Sequence, residues 1–231
     1  PLKTETLSNG GQGTLVGYTG MTWSGFRPSD DACELHYLIP ANMLAVSVLN
    51  RLQELPLPDA ILKSAKSLSR EIDSGIQKFG VIEHPKYGRI FAYEVDGLGN
   101  YTLMDDANLP SLLGARWYGY CQPEDEIYKN TRRFLLSENN PYYFTGKFGA
   151  GIGSQHTRKG YIWPIALAVQ GLTSTSLDEK KEILSMLFNT TAGTYHMHES
   201  FEANDPTHFT RAWFAWADSM FCLLVQQIYK L

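Results

Sequence analysis

Residues 40–80 read PANMLAVSVLNRLQELPLPDAILKSAKSLSREIDSGIQKFG, and their spacing decides the class of fold. In the first part Leu44, Val48, Leu52 and Leu55 recur at helical steps, and Pro56 and Pro58 stop the pattern. From Asp59 onward the apolar residues Ile61, Ala65, Leu68, Ile72, Ile76 and Phe79 return every third or fourth position, and Gly80 closes the run as a C-cap signal. Two antiparallel amphipathic helices joined by a Pro-rich turn make an αα-hairpin.

The same grammar continues outward. A short helical signal lies around ANLPSLL (107–113), and a longer one runs from Pro123 to about Leu136, with the proline in a first-turn position. YIWPIALAVQGL (161–172) reads as an apolar helix, and Ser176 with Glu179 has the spacing of a capping box that opens a helix to about Phe188. The last helix carries Trp213, Ala217, Met220, Leu224 and Ile228 on one face. The stretch RIFAYEVDGLGNYTLMDD (89–106) differs, pairing two β-like runs across DGLGN. TGKFGAGIGSQHTRKG (145–160) reads as a long glycine-rich loop, and residues 1–20 as a loose lead-in without periodicity. About seven helices with one minor β element place the chain in the all-α class, with polar and aromatic residues gathered in the connections.

At 231 residues the default is a single domain, 1–231, able to bury a substantial core. A net charge of −4 gives no electrostatic case for nucleic acid or an anionic membrane. No apolar run reaches spanning length, no signal-like segment opens the chain, and Pro1 at its start suggests a processed product or a piece of something longer. Cys33, Cys121 and Cys222 are odd in number and widely spaced, so no disulfide framework or zinc site follows, and two sequons, at Asn100 and Asn189, carry little weight alone. The aromatic share of 13% suits flat sugar rings as well as it suits packing.

Carboxylates are the best chemical material. Asp30 and Asp31 follow Arg27 and Pro28 in SGFRPSDDAC (24–33), Asp105 and Asp106 follow the expected hairpin, and Glu199 stands between His198 and Ser200. Each has a bland reading as well: helix caps for the two aspartate pairs and a surface ion pair for Glu199. Glycoside hydrolysis needs two carboxyl groups flanking a sugar, one protonated and one ionised, and distant loops can supply them. GKFGAGIGS does not match a P-loop, Ser154 and His156 lack a nucleophile elbow, and the His198-Glu199 dipeptide lacks the second histidine a helical zinc motif requires.

Several blocks resemble glycoside hydrolase family 125, the exo-α-1,6-mannosidases, in order along the chain: GMTWSGFRPSDDACELHYLIPANMLAVSVL, FAYEVDGLGN, LMDDANLPSLL, GIGSQHT, YIWPIALAVQGLTS and MHESFEANDPTHFTRAWFAWADSMF. The resemblance implies an (α/α)6 barrel with a small β-hairpin insertion, of which this chain is the C-terminal half. It also implies an inverting, metal-independent reaction that needs no cofactor, acting on an α-mannoside glycan. It makes Asp30 or Asp31 the general acid, with the choice open, and Glu199 the general base. Trp23, Arg27, Asp105, Asp106, Asn108, His156 and His198 become candidates for holding or stacking on mannose. Inversion asks for carboxyl groups roughly 6.5–9.5 Å apart. A half-barrel leaves apolar helix faces to be covered by the missing N-terminal half or by self-association, so the chain alone can be inactive. The rival reading is a non-catalytic carbohydrate-binding or structural half-domain.

Overall fold

The computed structural model describes residues 5–230, which form two compact units. One takes the chain up to Met104 together with Pro110–Arg133; the other takes Asp105–Leu109 together with the chain from Phe134. Residues 1–4 of the expected lead-in lie outside the described residues. The rest of it has only a single turn, α1 (Ser8–Gly11), and is tied to its unit by hydrogen bonds: Thr14 N to His36 Nε2 at 2.8 Å, Gly17 N to Asp96 O at 2.7 Å and Tyr37 OH to Gly17 O at 2.8 Å.

The first unit is built on the expected helical pair, α2 (Ile39–Arg51) and α3 (Asp59–Phe79), with a 3-10 turn at Leu52–Glu54. The face of α2 that packs is not the leucine stripe. Ile39, Asn42, Met43, Val46 and Ser47 are buried, whereas Val48 and Leu55 are about half exposed. The reason is polar. Asn42 Oδ1 accepts from Thr22 N and Thr22 Oγ1, while its Nδ2 donates to Thr22 O and Leu38 O, so the helix turns an amide inward to hold the preceding loop. On α3 the expected Ala65, Ile72 and Ile76 are buried together with Ser69 and Gly75, while Ile61 and Leu68 face out. Gly80 does follow the helix, but in a right-handed conformation; a Cβ there would lie 2.8 Å from Ile39 Cδ1, so space rather than a left-handed turn requires the glycine.

Among the described residues four small sheets accompany the helices, where the sequence showed one hairpin. In the first unit β1 (Tyr37–Leu38), β4 (Glu94–Val95) and β5 (Tyr101–Thr102) pair in the order β1-β4-β5, so the expected turn at 96–100 is present. The run before it belongs to a separate hairpin, β2 (Val81–His84) with β3 (Gly88–Phe91). The signal near ANLPSLL appears as a 3-10 turn at Leu113–Arg116, and α4 (Glu126–Leu135) starts three residues after Pro123.

In the second unit α5 (Pro164–Thr173) is the central rod: every residue except Gln170 is buried, and α6 (Leu177–Asn189) and α7 (Ala215–Tyr229) pack on it. Ser176 caps α6 by accepting from Glu179 N, whereas the Glu179 carboxylate accepts from Ser174 and Gln170, so half of the capping box forms. The glycine-rich loop is an ordered hairpin, β6 (Tyr143–Gly146) and β7 (Gly149–Ile152). Its glycines mark places where backbone meets other elements directly: a Cβ on Gly146 would lie 2.5 Å from Ala203 O, on Gly151 2.7 Å from Leu167 Cδ2 and on Gly153 2.2 Å from Tyr161 O. A second sheet of this unit orders β8 (Tyr161–Ile162), β9 (Ser200–Glu202) and β10 (Asp205–Thr210) as β10-β9-β8. The chain is therefore helix-rich with several small sheets. Among the described residues no helix is long and apolar enough to cross a membrane.

Candidate active site

In the first unit the Arg27–Asp31 stretch is a tight hairpin tip. Asp30 N donates to Arg27 O at 3.0 Å and Arg27 N to Asp31 O at 2.8 Å, with Phe26 bridged to Ala32. Pro28 presets the first turn position, and Asp30 takes the left-handed conformation (φ 68°) of the residue that completes such a three-residue loop. Neither aspartate caps α2, whose N-cap Leu38 has no side-chain cap. The turn separates the pair: Asp30 is exposed, whereas Asp31 is fully buried and accepts from Ser29 Oγ at 2.7 Å.

Arg27 anchors this tip. Its Nε donates to Glu94 Oε1 at 2.6 Å, with both side chains almost wholly buried, and Glu94 Oε2 accepts from the amides of Glu34 and Leu35. The guanidinium also lies over the Tyr93 ring, 5.4 Å from its centroid. Burial opposes its charge, but the hydrogen bond and charge of Glu94 outweigh that and hold the guanidinium above the ordinary arginine range. Trp23 keeps 46% of its surface exposed and stacks on His36 at 4.6 Å.

In the second unit Glu199 stands at the start of the β9–β10 hairpin. The ladder pairs Phe209 with Phe201 and Thr210 with Ser200, and Glu199 N donates onward to Thr210 O at 3.2 Å. Arg211 follows that register, and its Nε lies 3.0 Å from Glu199 Oε1. The arginine is 63% exposed and the glutamate 9%, so an adjustable cation meets a fixed carboxylate. Glu199 lines a cavity of about 410 Å³ with His156, Arg158, Tyr161 and Phe209.

The other expected residues of this unit support the site from behind. Asp106 Oδ1 accepts from Asn108, Asp106 Oδ2 accepts from Ser154 Oγ at 2.6 Å, and Ser154 Oγ in turn accepts from His156 N at 3.1 Å. Asp105, Asp106, Asn108 and Ser154 are all buried, so this network fixes the loop that carries His156. His198 stacks on Phe209 at 3.9 Å, and its two ring nitrogens lie 3.0 and 3.1 Å from the carbonyls of Ala212 and Thr191. Among the described residues no three His, Cys, Asp or Glu side chains gather as a metal site would require.

Sequence reasoning passed over Glu94, Arg158, Tyr161 and Arg211. Arg211 had no simple signal: the tight turn pairs Glu202 with Asp205, which by itself would set residue 208 opposite Glu199, and only the irregularity between Asp205 and Phe209 shifts residue 211 into that place.

The profile of the metal-independent α-mannosidases, glycoside hydrolase family 125, matches residues 1–226. The chain belongs to this family. Among its relatives is the meiotically up-regulated gene 157 protein of Schizosaccharomyces pombe, 44% identical over 227 residues, a match covering 96% of this chain and 45% of that protein. A solved structure from Streptococcus pneumoniae is 49% identical with a TM-score of 0.97, covering all of this chain and 55% of its own. It is described as a metal-independent α-mannosidase in a non-productive substrate complex with α-1,6-mannobiose. The present chain thus spans about half the length of the relatives it matches.

Proposed function

We propose that this chain is the C-terminal portion of an inverting exo-α-1,6-mannosidase on an (α/α)6 barrel and carries both of its catalytic carboxyl groups. The observation that supports this most directly is Glu199: a nearly buried carboxylate at the wall of a sugar-sized cavity, beside Arg211, in a chain of the α-mannosidase family. Glu199 acts as general base, taking a proton from the water that attacks the anomeric carbon. A carboxyl of the Asp30–Asp31 pair protonates the departing glycosidic oxygen. Exposure favours Asp30 as that donor, because a sugar reaches it without displacing Ser29 and the turn around Asp31. The mechanism requires the two carboxyl groups to flank the bound sugar at roughly 6.5–9.5 Å, leaving room for the water. His156, Arg158 and Tyr161 supply hydrogen-bonding groups at the cavity, while His198 and the Asp106–Asn108–Ser154 network hold the loops in place. Trp23 offers its ring to the sugar, and Arg27 orients the acid-bearing turn.

The half of the enzyme outside this chain is its expected partner. Val48, Leu55, Ile61 and Leu68 in the first unit and Phe188, Trp216 and Leu223 in the second are large apolar side chains left in water. The test is mannose release from α-1,6-mannobiose by this chain, alone and mixed with the N-terminal half of a relative, against Glu199→Gln. Hydrolysis that disappears in Glu199→Gln while sugar binding persists, with the β-anomer as first product, supports the proposal. Asp30→Asn and Asp31→Asn are compared on an aryl mannoside whose leaving group needs no proton; the acid is the one whose variant recovers there. Binding without hydrolysis in every mixture would instead make the chain a carbohydrate-binding half-domain.

A further inference from the structure

Beside Glu199 the second unit displays aromatic surface that the hydrolytic step does not use. Trp213 is 66% exposed and Tyr195 91% exposed, and the His196 side chain, 55% exposed, lies 6.1 Å from the Trp213 ring. Tyr195 takes a left-handed backbone (φ 61°), uncommon for a bulky residue and found where the surroundings impose it. The segment is not loose. Phe214 N donates to Met197 O at 2.9 Å, Met197 N donates to Asp218 Oδ1 at 2.7 Å, and His196 Nδ1 lies 3.4 Å from Asp218 Oδ2. Trp213 therefore sits on a fixed strip two residues beyond Arg211, whose Nε is paired with Glu199.

We propose that Trp213, Tyr195 and His196 form a ledge that binds mannose units of the glycan beyond the bond being cleaved. The proposal rests on the reading of Glu199 as the hydrolytic base. An aromatic ring presents a broad apolar face to the C–H face of a pyranose, and its polar neighbours meet the hydroxyl rim. The ledge has both parts: an indole and a phenol for the ring faces, and the His196–Asp218 pair for hydroxyl groups. This mixture distinguishes it from the purely aliphatic exposed positions of the α2–α3 pair, which suit a protein partner. The 197–214 pairing joins it to the same two chain segments that carry Glu199 and Arg211.

The experiment is calorimetric titration of the 231-residue chain with α-1,6-mannobiose and with a linear α-1,6-mannotetraose, for wild type, Trp213→Ala and Tyr195→Ser. Both substitutions are at exposed positions, and thermal melts of each variant confirm that it folds. The ledge predicts that wild type binds the tetraose more tightly than the disaccharide. It also predicts that Trp213→Ala weakens the tetraose about three- to tenfold, the size of one aromatic contact, and leaves the disaccharide unchanged. Tyr195→Ser is expected to shift in the same direction. Equal loss for both sugars would place Trp213 in the cavity instead and overturn the ledge, as would no change for either. Loss of association with the N-terminal half of a relative, without any sugar effect, would make the strip a protein interface and overturn it too. If wild type binds neither sugar, alone or mixed with the N-terminal half of a relative, the reading of Glu199 fails and the ledge with it; if the disaccharide binds and the longer sugar gains nothing, only the ledge fails.

Discussion

Glu94→Gln is the most informative perturbation of the Arg27–Asp31 turn. In the native structure the two Glu94 oxygens accept three donors: Arg27 Nε at 2.6 Å on one, and Glu34 N at 2.9 Å and Leu35 N at 3.2 Å on the other. A glutamine keeps one acceptor and brings an NH2 group, so whichever way it flips, an amide donor faces another donor. The substitution also leaves a guanidinium with 1% of its side-chain surface exposed and no counter-charge. Breaking one side of a buried pair costs about 3–5 kcal/mol, because the remaining charge stays desolvated. A lost charge-assisted hydrogen bond of about 1.5–3 kcal/mol and an orphaned donor of about 1–3 kcal/mol account for the same range. Urea unfolding of wild type, Glu94→Gln, Arg27→Met and the double variant Arg27→Met/Glu94→Gln measures it. The single variants should each lose about 3–5 kcal/mol, and the double variant should lose far less than their sum, since it buries no charge. A loss below about 1 kcal/mol in Glu94→Gln, or a double variant equal to the sum of the singles, would refute the idea that this pair pins the turn.

Other outcomes follow from separate features. Gly75→Ala should destabilise by about 1–3 kcal/mol, although helix propensity alone predicts a gain of about 1 kcal/mol. The added Cβ would lie 2.5 Å from Thr19 O, and thermal melts decide between the two. At Asp96 burial pushes the carboxyl up, but hydrogen bonds from the Asn100 side chain and the Leu98 and Asn100 amides outweigh it and hold it below the usual range. Its folded value is the lower one, so its stabilisation is complete above the unfolded value near 3.9 and lost as pH falls through the depressed value. Stability of wild type between about pH 5 and 2 should therefore fall more steeply than that of Asp96→Asn. Burial raises the thiols of Cys33 and Cys121, whereas Cys222 is exposed. Ellman's reagent should titrate one thiol in the native protein, and Cys222→Ser should remove it.

The helices were legible in sequence because their apolar spacing and end signals act locally. The orientation of α2 was not, because its inward face carries Asn42 and Ser47, whose value lies in hydrogen bonds to a distant loop and to the preceding turn. The small sheets were hidden for a related reason: every strand but β10 runs two to four residues, too short to show alternation, and glycines that permit backbone contact look the same as glycines of a loop. At the site the carboxylates stood out as residue types, and the family resemblance assigned them roles. Their surroundings did not stand out. Glu94 sits inside an ordinary β run, and Arg211 becomes a neighbour of Glu199 only once the hairpin register is known.

The glycines that back the β6–β7 hairpin against Ala203, Leu167 and Tyr161 carry a consequence for how such chains diverge. Positions 146 and 153 face backbone carbonyls and leave no room for a side chain, whereas position 151 faces the ends of the Leu167 and Ile162 side chains; none of this depends on the role of Glu199. Relatives in which the proposed hydrolysis is lost should keep the glycines at 146 and 153 while their carboxylates drift, so the hairpin would record ancestry and the acids use.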